Sequence, residues 1–245
     1  MSKRIILASA FRNLSGKRLV RYLSQVSAFI AEGGFESYHL IWAEGDSTDT
    51  TLEELRAART TFQDLPGNVT VDLIDVTHGR PNYGSCENPD RLRCLSLVLN
   101  KILDAVPADA DAVVYVESDL KWVPEVLQRL ISQLQSPIDV ISPPTFHRHP
   151  RRPSDSKLLY DTWGFRTLEG RRYDRHMTRR SLQQKGLKEM GSVGSCVAMR
   201  GDVARQCRVS NNLALVGWCE AVRGQGYRIW SDWRIHINHP TTASP

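Results

Sequence analysis

Nowhere in its 245 residues does the chain carry an apolar run approaching the roughly 20 residues that a membrane-crossing helix needs. The opening stretch MSKRIILASAFRNLSGKR holds too short an apolar core for a secretory signal, and a cytoplasmic location is expected. Cys86, Cys94, Cys196, Cys207 and Cys219 are odd in number, scattered and without a CxxC pair. That pattern argues against a disulfide framework or a zinc knuckle and leaves buried, inert thiols as the expectation. No GxGxxG follows an expected strand, which disfavours a dinucleotide-binding dehydrogenase. There is no GxSxG elbow, and Leu14-Ser15-Gly16-Lys17 lacks the spacing of a Walker loop. Internal repeats, heptads and low-complexity tracts are missing too. The sequons at Asn13 and Asn68 would matter only in a secreted protein.

What is present is an ordinary globular composition, 41% hydrophobic and 24% charged, in a chain long enough for one large α/β domain. Strand and helix patterns alternate through the first half. Strands are expected at Arg4 to Ala10, Ser37 to Ala43, Val69 to Val76 and Ala112 to Val116, and helices at Gly16 to Ala31, Thr50 to Phe62, Arg91 to Val106 and Val123 to Leu134. Regular alternation implies a mostly parallel sheet covered on both faces, with ligands bound beyond the carboxyl ends of the strands. Those ends carry Ser9 to Asn13, Glu44 to Asp49, Thr77 to Arg80 and Glu117 to Asp119. After Ile141, Pro143, Pro144, Pro150 and Pro153 break the pattern, which resumes with a strand at Val193 to Met199, a helix at Asn211 to Arg223 and a strand at Tyr227 to Asp232. A single domain of residues 1–245 is expected, with a nucleotide-binding half (1–142), a basic insertion (143–191) and a half for acceptor and metal (192–245).

The run DAVVYVESDLKW, Asp111 to Trp122, passes abruptly from strand-forming residues to Glu117-Ser118-Asp119. If the strand continues, Glu117 and Asp119 project the same way, and two carboxylates in one small volume suit a divalent cation carrying phosphate oxygens. A solvated strand end with a helix cap is the competing reading. Glu44 to Thr50 has the same ambiguity: its carboxylates could accept from a ribose or a base, or merely cap a helix. Near the other terminus, His239 before Pro240 is either a metal ligand or a structural histidine.

Charge is unevenly spread. Between His147 and Arg180 stand ten Arg and Lys against four acids, net +6, which leaves about −1 for the rest of a chain whose net charge is +5. The cations are Arg148, Arg151, Arg152, Lys157, Arg166, Arg171, Arg172, Arg175, Arg179 and Arg180, with Tyr160, Trp163, Phe165 and Tyr173 interleaved. Such a segment fits an anionic partner, or a solvated loop.

Taken together, ASAFRN, AEGDSTDTT, VVYVESDL, a glycine-rich strand, GYRIW and a terminal histidine resemble glycosyltransferases of the GT-A fold over nearly the whole chain. More narrowly, Tyr160-Asp161-Thr162-Trp163, Ser192 to Ala198, and Gly226-Tyr227 spaced thirteen residues from His239 are similar to two groups. These are the fungal capsule-associated α-1,3-mannosyltransferases and the yeast mannosyltransferases of the Anp1 and Mnn9 type. The resemblance implies a nucleotide-diphosphate sugar donor, GDP-mannose or a UDP-hexose, with Mn2+ or Mg2+. It sets Glu117 and Asp119 at the family's DxD and His239 at its C-terminal metal ligand. Because Glu replaces the first Asp, Asp119 is the safer ligand, and Glu117 is divided between metal, ribose and a metal-bound water. Ser9, Arg12, Glu44 and Asp46 are expected near the donor, and Arg91 or Arg93 near the leaving group. Inverting relatives carry an acidic pair about four residues before the Cys219 position, where this chain has Ala214 and Leu215. Retaining chemistry is therefore expected, with Asp161 and Glu220 toward the acceptor, beside Asp119 as catalytic carboxylates. That acceptor is expected to be a glycan or lipid-linked saccharide, or a 5-hydroxymethylated base in DNA; the alternative is a non-catalytic nucleic-acid-binding module with a degenerate GT-A-like fold, its basic segment holding nucleic acid and its acidic triplet structural.

Overall fold

The computed structural model describes residues 3–79, 83, 87–148, 157–174, 177–183 and 186–240. Of the expected features, Arg80, Cys86, Pro150, Arg151, Arg152, Pro153, Asp155 and Arg175, with the side chain of Arg148, lie outside the described residues.

Three apolar strands open the fold: β1 (Arg4–Phe11), β2 (Ser37–Glu44) and β3 (Val69–Asp75), joined by helices α1 (Lys17–Gly33) and α2 (Thr51–Gln63). Helix α3 (Pro89–Asp104) then leads into β4 (Ala112–Val116), and α4 (Pro124–Ser132) into β5 (Val140–Ser142). Beyond these come β6 (Thr145–Arg148), β7 (Lys157–Leu159), α5 (Arg179–Gln183), β8 (Leu187–Glu189), β9 (Cys196–Arg200), α6 (Gly201–Gln206), α7 (Ala214–Gly224), β10 (Ile229–Asp232) and β11 (Ile237–Asn238). Eight strands form one sheet in the order β3-β2-β1-β4-β9-β5-β10-β8. The first four are mutually parallel, β9 runs antiparallel between β4 and β5, and β8 runs antiparallel to β10. The α/β alternation of the sequence thus becomes a mostly parallel sheet between two helical layers.

Each face of the sheet has its own apolar core, as a doubly covered sheet requires. One packs Leu19, Tyr22, Val26 and Phe29 of α1 and Leu127, Leu130 and Ile131 of α4 on Leu7, Leu40 and Val114. The other packs Leu99, Ile102 and Leu103 of α3 and Trp218 and Val222 of α7 on Ile6, Ile41 and Val113. Helix α3 begins two residues before its expected start, because Asn88 accepts from the backbone N–H groups of Asp90 and Arg91 while Pro89 occupies the first turn. Cys94, Cys196, Cys207 and Cys219 are buried free thiols, and burial pushes Cys219 up to about 12.

The segment without legible periodicity is built into the fold. Strands β11, β6 and β7 form a second sheet, and β8 joins the main one. Two of the aromatics interleaved with its charges are core residues: Phe165 and Tyr173 pack on the fully buried Trp233 with ring centroids 5.9 and 5.3 Å apart. Trp233→Ala is expected to cost about 3–5 kcal/mol, read as a lower urea midpoint, because it empties a site shared by the insertion and the main core.

Candidate active site

The chain closes on itself where β4 ends. Beyond Val116 the backbone turns, Leu120 N–H donating to Glu117 O at 3.2 Å, and Lys121 then pairs with Asn238 of β11 through two backbone hydrogen bonds of 2.7 and 3.0 Å. His239 N–H donates to Phe146 O at 2.8 Å, fixing the next residue against β6. This ladder sets His239 Nε2 3.1 Å from Asp119 Oδ2, although 120 residues separate them. The imidazole is only 9% exposed and stacks on Tyr160 with centroids 3.7 Å apart and planes 16° from parallel. Asp119 Oδ1 is buried without a hydrogen-bond partner.

A carboxylate oxygen left bare in the interior is costly unless something cationic meets it. The pair therefore suits a divalent cation, with Asp119 and His239 as its protein donors and substrate oxygens or water completing the shell. Glu117 does not complete that set, and among the described residues no three His, Cys, Asp or Glu side chains cluster as metal ligands. The expectation of two carboxylates on one side assumed a strand through Asp119. The strand stops at Val116, and the turn sends Glu117 elsewhere.

Glu117 lines a cavity of about 230 Å³ together with Arg91, Tyr115, Tyr160, Asp161, Trp163, Ser195, Ala214 and Leu215. Burial, followed by the charges of Asp119 and Asp161, pushes its carboxyl up to about 8, against the pull of Arg91. Asp161 is held on the cavity wall by hydrogen bonds from Ser195 Oγ (2.6 Å) and Gly164 N–H (2.9 Å). Its pKa too is raised, chiefly by burial. A Cβ on Gly164 would stand 2.9 Å from an Asp161 oxygen, and one on Gly194 would lie well inside contact distance of Oδ2. Only glycine fits around this carboxylate. Ser195, in the left-handed region at φ 57°, accounts for the late start of β9 relative to the expected Val193.

Other expected site residues have structural duties. Ser9 is fully buried; its hydroxyl donates to Val116 O (2.7 Å) and accepts from Tyr22 (2.9 Å), so it belongs to the core and not to a donor site. Glu44, 1% exposed, accepts from Ser47 N–H at 2.8 Å within its own turn. Asp46 accepts from the backbone N–H groups of His78 and Gly79 at 2.7 and 2.6 Å, tying β2 to the segment after β3. Its desolvation is outweighed by these bonds and by the charges of His78 and Arg12, which hold the carboxyl below its usual range. Ser47, Asp49, Thr51 and Glu54 accept backbone N–H bonds from Asn13 to Gly16. These side chains hold the turn after β2 against the β1–α1 connection and the segment after β3, while Thr50, the N-cap of α2, makes no side-chain capping bond. Arg91 faces the cavity, whereas Arg93, half a turn on, is exposed beside His78 and Asn100. Glu220 is exposed and bonded to Asn211, outside the cavity.

Sequence reading singled out Asp119, His239 and Asp161 but missed Ser195 and the packing of Tyr160 on His239. The Gly194-Ser195 pair was visible within the quoted motif. Its carboxylate partner was not, because Asp161 is 34 residues away.

Nearby, His236 is pushed down to about 4 by burial and then by Arg179 and Lys157. In the unfolded chain an imidazole titrates near 6.5. The folded state therefore binds fewer protons between those values, so stability is full above about 6.5, falls as pH drops toward 4, and levels off below. After allowance for partial exposure, the loss between pH 7.5 and 5.5 is expected to be on the order of 1 kcal/mol. Urea unfolding at both pH values should show it, and His236→Gln should remove it.

No protein-family model matches this sequence, and no curated protein sequence does. Solved structures do. A mannosyltransferase from Pyrobaculum calidifontis, in complex with GDP-Man and Mn2+, superposes over 99% of this chain and 59% of its own, with a TM-score of 0.59 and 14% identity. TarS residues 1–349 from S. aureus, in complex with UDP, superposes over 98% of this chain and 60% of its own, with a TM-score of 0.53 and 12% identity. The chain thus spans about three fifths of each neighbour's length, and the likeness establishes its fold as that of GT-A glycosyltransferases.

Proposed function

We propose that this protein is a cation-dependent glycosyltransferase that moves a hexose from a nucleotide-diphosphate sugar to an acceptor hydroxyl with retention of anomeric configuration. The observation that carries this reading is the Asp119–His239 pair, 3.1 Å apart at the end of the central strands, with a bare buried carboxylate oxygen beside a cavity holding Glu117, Asp161 and Arg91. The neighbours' GDP-Man with Mn2+ and UDP support a donor of the same chemical class. In this reading residues 1–142 hold the nucleotide sugar, 143–191 form a basic insertion, and 192–245 supply the metal ligand and acceptor side.

Transfer breaks the bond between the anomeric carbon and the diphosphate oxygen, whose electron pair leaves with the phosphate, while the acceptor oxygen bonds to the anomeric carbon. The acceptor proton passes to the departing phosphate oxygen. Arg91 faces the negative charge that develops on that oxygen. A bound divalent cation adds electrostatic stabilisation of the same leaving group. Tyr160 keeps the His239 ring in one orientation by stacking, and Ser195 keeps Asp161 aimed at the hexose or acceptor. Ala214 and Leu215 make the cavity wall apolar where inverting relatives place acids, which favours retention.

GDP-mannose, UDP-glucose and related donors incubated with the protein and Mn2+ should release nucleotide for at least one donor, and the added mass on an acceptor identifies the sugar class. Absence of nucleotide release across the panel sinks the proposal. Saccharide and 5-hydroxymethylated-DNA acceptors both fit transfer to a hydroxyl.

A further inference from the structure

Beside the Lys121–Asn238 ladder lies a groove of about 390 Å³ that shares no lining residue with the cavity. Among the described residues its lining is Lys121, Trp122, Val123, Val126, Arg179, Arg234, Ile235, His236 and Asn238: three cations, one imidazole and no carboxylate, with Arg234 ion-paired to the buried Asp232 behind it. Lys157 adds a fourth cation at the edge, its Nζ donating to Asn238 Oδ1 at 2.8 Å. The cations come from four separate parts of the chain: the turn after β4, β7, α5 and the loop before β11. Among the described residues, the +6 segment supplies two of them, Lys157 and Arg179. Lys121 is exposed and the Arg234 side chain is 51% exposed, so both reach solvent. Trp122, 5% exposed, has a buried indole N–H without a partner. Lys121 and Asn238, which line this groove, are the same residues whose backbone pairing positions Asp119 and His239. An anion bound here therefore lies beside the proposed transfer site.

We propose that this groove seats the phosphate backbone of a DNA acceptor and leads it to the Asp119–His239 pair. The inference deepens the glycosyl-transfer reading and rests on it. Several cations spread along a groove without carboxylates match a chain of phosphates better than a single anion. An anionic membrane is the other polyanion to weigh, but it calls for a contiguous apolar face. Among the described residues, Val123 is the one exposed large hydrophobic that lines the groove; its other apolar lining residues, Trp122, Val126 and Ile235, are buried or half-buried. Next to the Asp119–His239 pair, the cavity presents the half-buried Trp163 and the exposed Tyr160, whose one ring face covers His239, and an extruded base can stack against these aromatics.

The test is binding of a fluorescein-labelled DNA oligonucleotide, single-stranded and duplex, titrated at several salt concentrations without donor or metal. Lys121→Gln combined with Arg179→Gln should weaken binding at least tenfold at low salt and flatten the log–log salt slope by about 1.8 on duplex and about 1.4 on single-stranded DNA, as expected for two lost phosphate contacts. Arg234 is left in place because it pairs with the buried Asp232. Lys121→Arg with Arg179→Lys should retain binding, and thermal melting reports whether each variant is folded. Negligible DNA binding at low salt, or an unchanged slope in the folded Gln variant, overturns the proposal. So does variant-sensitive binding to phosphatidylglycerol vesicles in place of DNA. Nucleotide release from a donor by the unmodified protein reads the transfer reaction separately, so failure of the groove and failure of the transfer reading are told apart.

Discussion

Asp119→Asn is expected to lower nucleotide release from the sugar donor by on the order of 10²–10³, with little change in melting temperature. Asparagine keeps the side-chain shape, and its amide group can still pair with His239. What it loses is the negative charge, and with it the affinity of the buried, unpartnered Oδ1 position for a cation. The same substitution tests the plainest structural alternative, in which Asp119 and His239 are merely an ion pair tying the chain's end to β4. A partly exposed pair contributes on the order of 1 kcal/mol or less. In that case the variant would melt slightly earlier and turn over donor unchanged. Titrating Mn2+ into both forms separates the readings further: binding should be lost in Asp119→Asn and weakened in His239→Ala.

Gly194→Ala should disable the acceptor side of the site from a single methyl group. The new Cβ would run into Asp161 Oδ2, which accepts from Ser195 Oγ, while Oδ1 of the same carboxylate is held by Gly164 N–H. Either Asp161 swings out of the cavity or the β9 approach shifts. Overpacking of this kind costs about 1–3 kcal/mol. Transfer to acceptor is expected to fall on the order of 10²-fold, since displacements of about 1 Å in positioning groups have effects of that size. Adding Asp161→Ala removes the clash, so the double variant should regain stability but not transfer. Stability that fails to recover would mean that the glycine is required by the backbone and not by the carboxylate.

Much of the fold could be read along the chain, because β1, α1, β2, α2, β3, β4 and α4 announce themselves by local periodicity. The strand at Tyr227 to Asp232 was legible too, as β10, whereas the two-residue β11 was not. Where local signals gave out, so did the reading. The triplet after Val116 looked like continuing strand, but its turn is stabilised by Ser118 Oγ donating to Ala10 O across the sheet at 2.7 Å. Phe165 and Tyr173 looked like partner contacts among cations, yet both are packed against Trp233. Glu44, Asp46 and Ser9 had the right chemistry for a donor site, but backbone N–H groups and neighbouring hydroxyls use that chemistry internally.

By itself the sequence determined the alternating layers, the acidic end of β4, the terminal histidine and the concentration of positive charge, all of which reside in residue types and spacings of a few positions. Tertiary structure alone decided that Asp119 meets His239 while Glu117 turns away, that Ser195 and two glycines frame Asp161, and which cations share a groove. The physical reason is range: side-chain periodicity acts over one turn or one strand. Contacts across 34 and 120 residues exist only once two sheets have closed on each other.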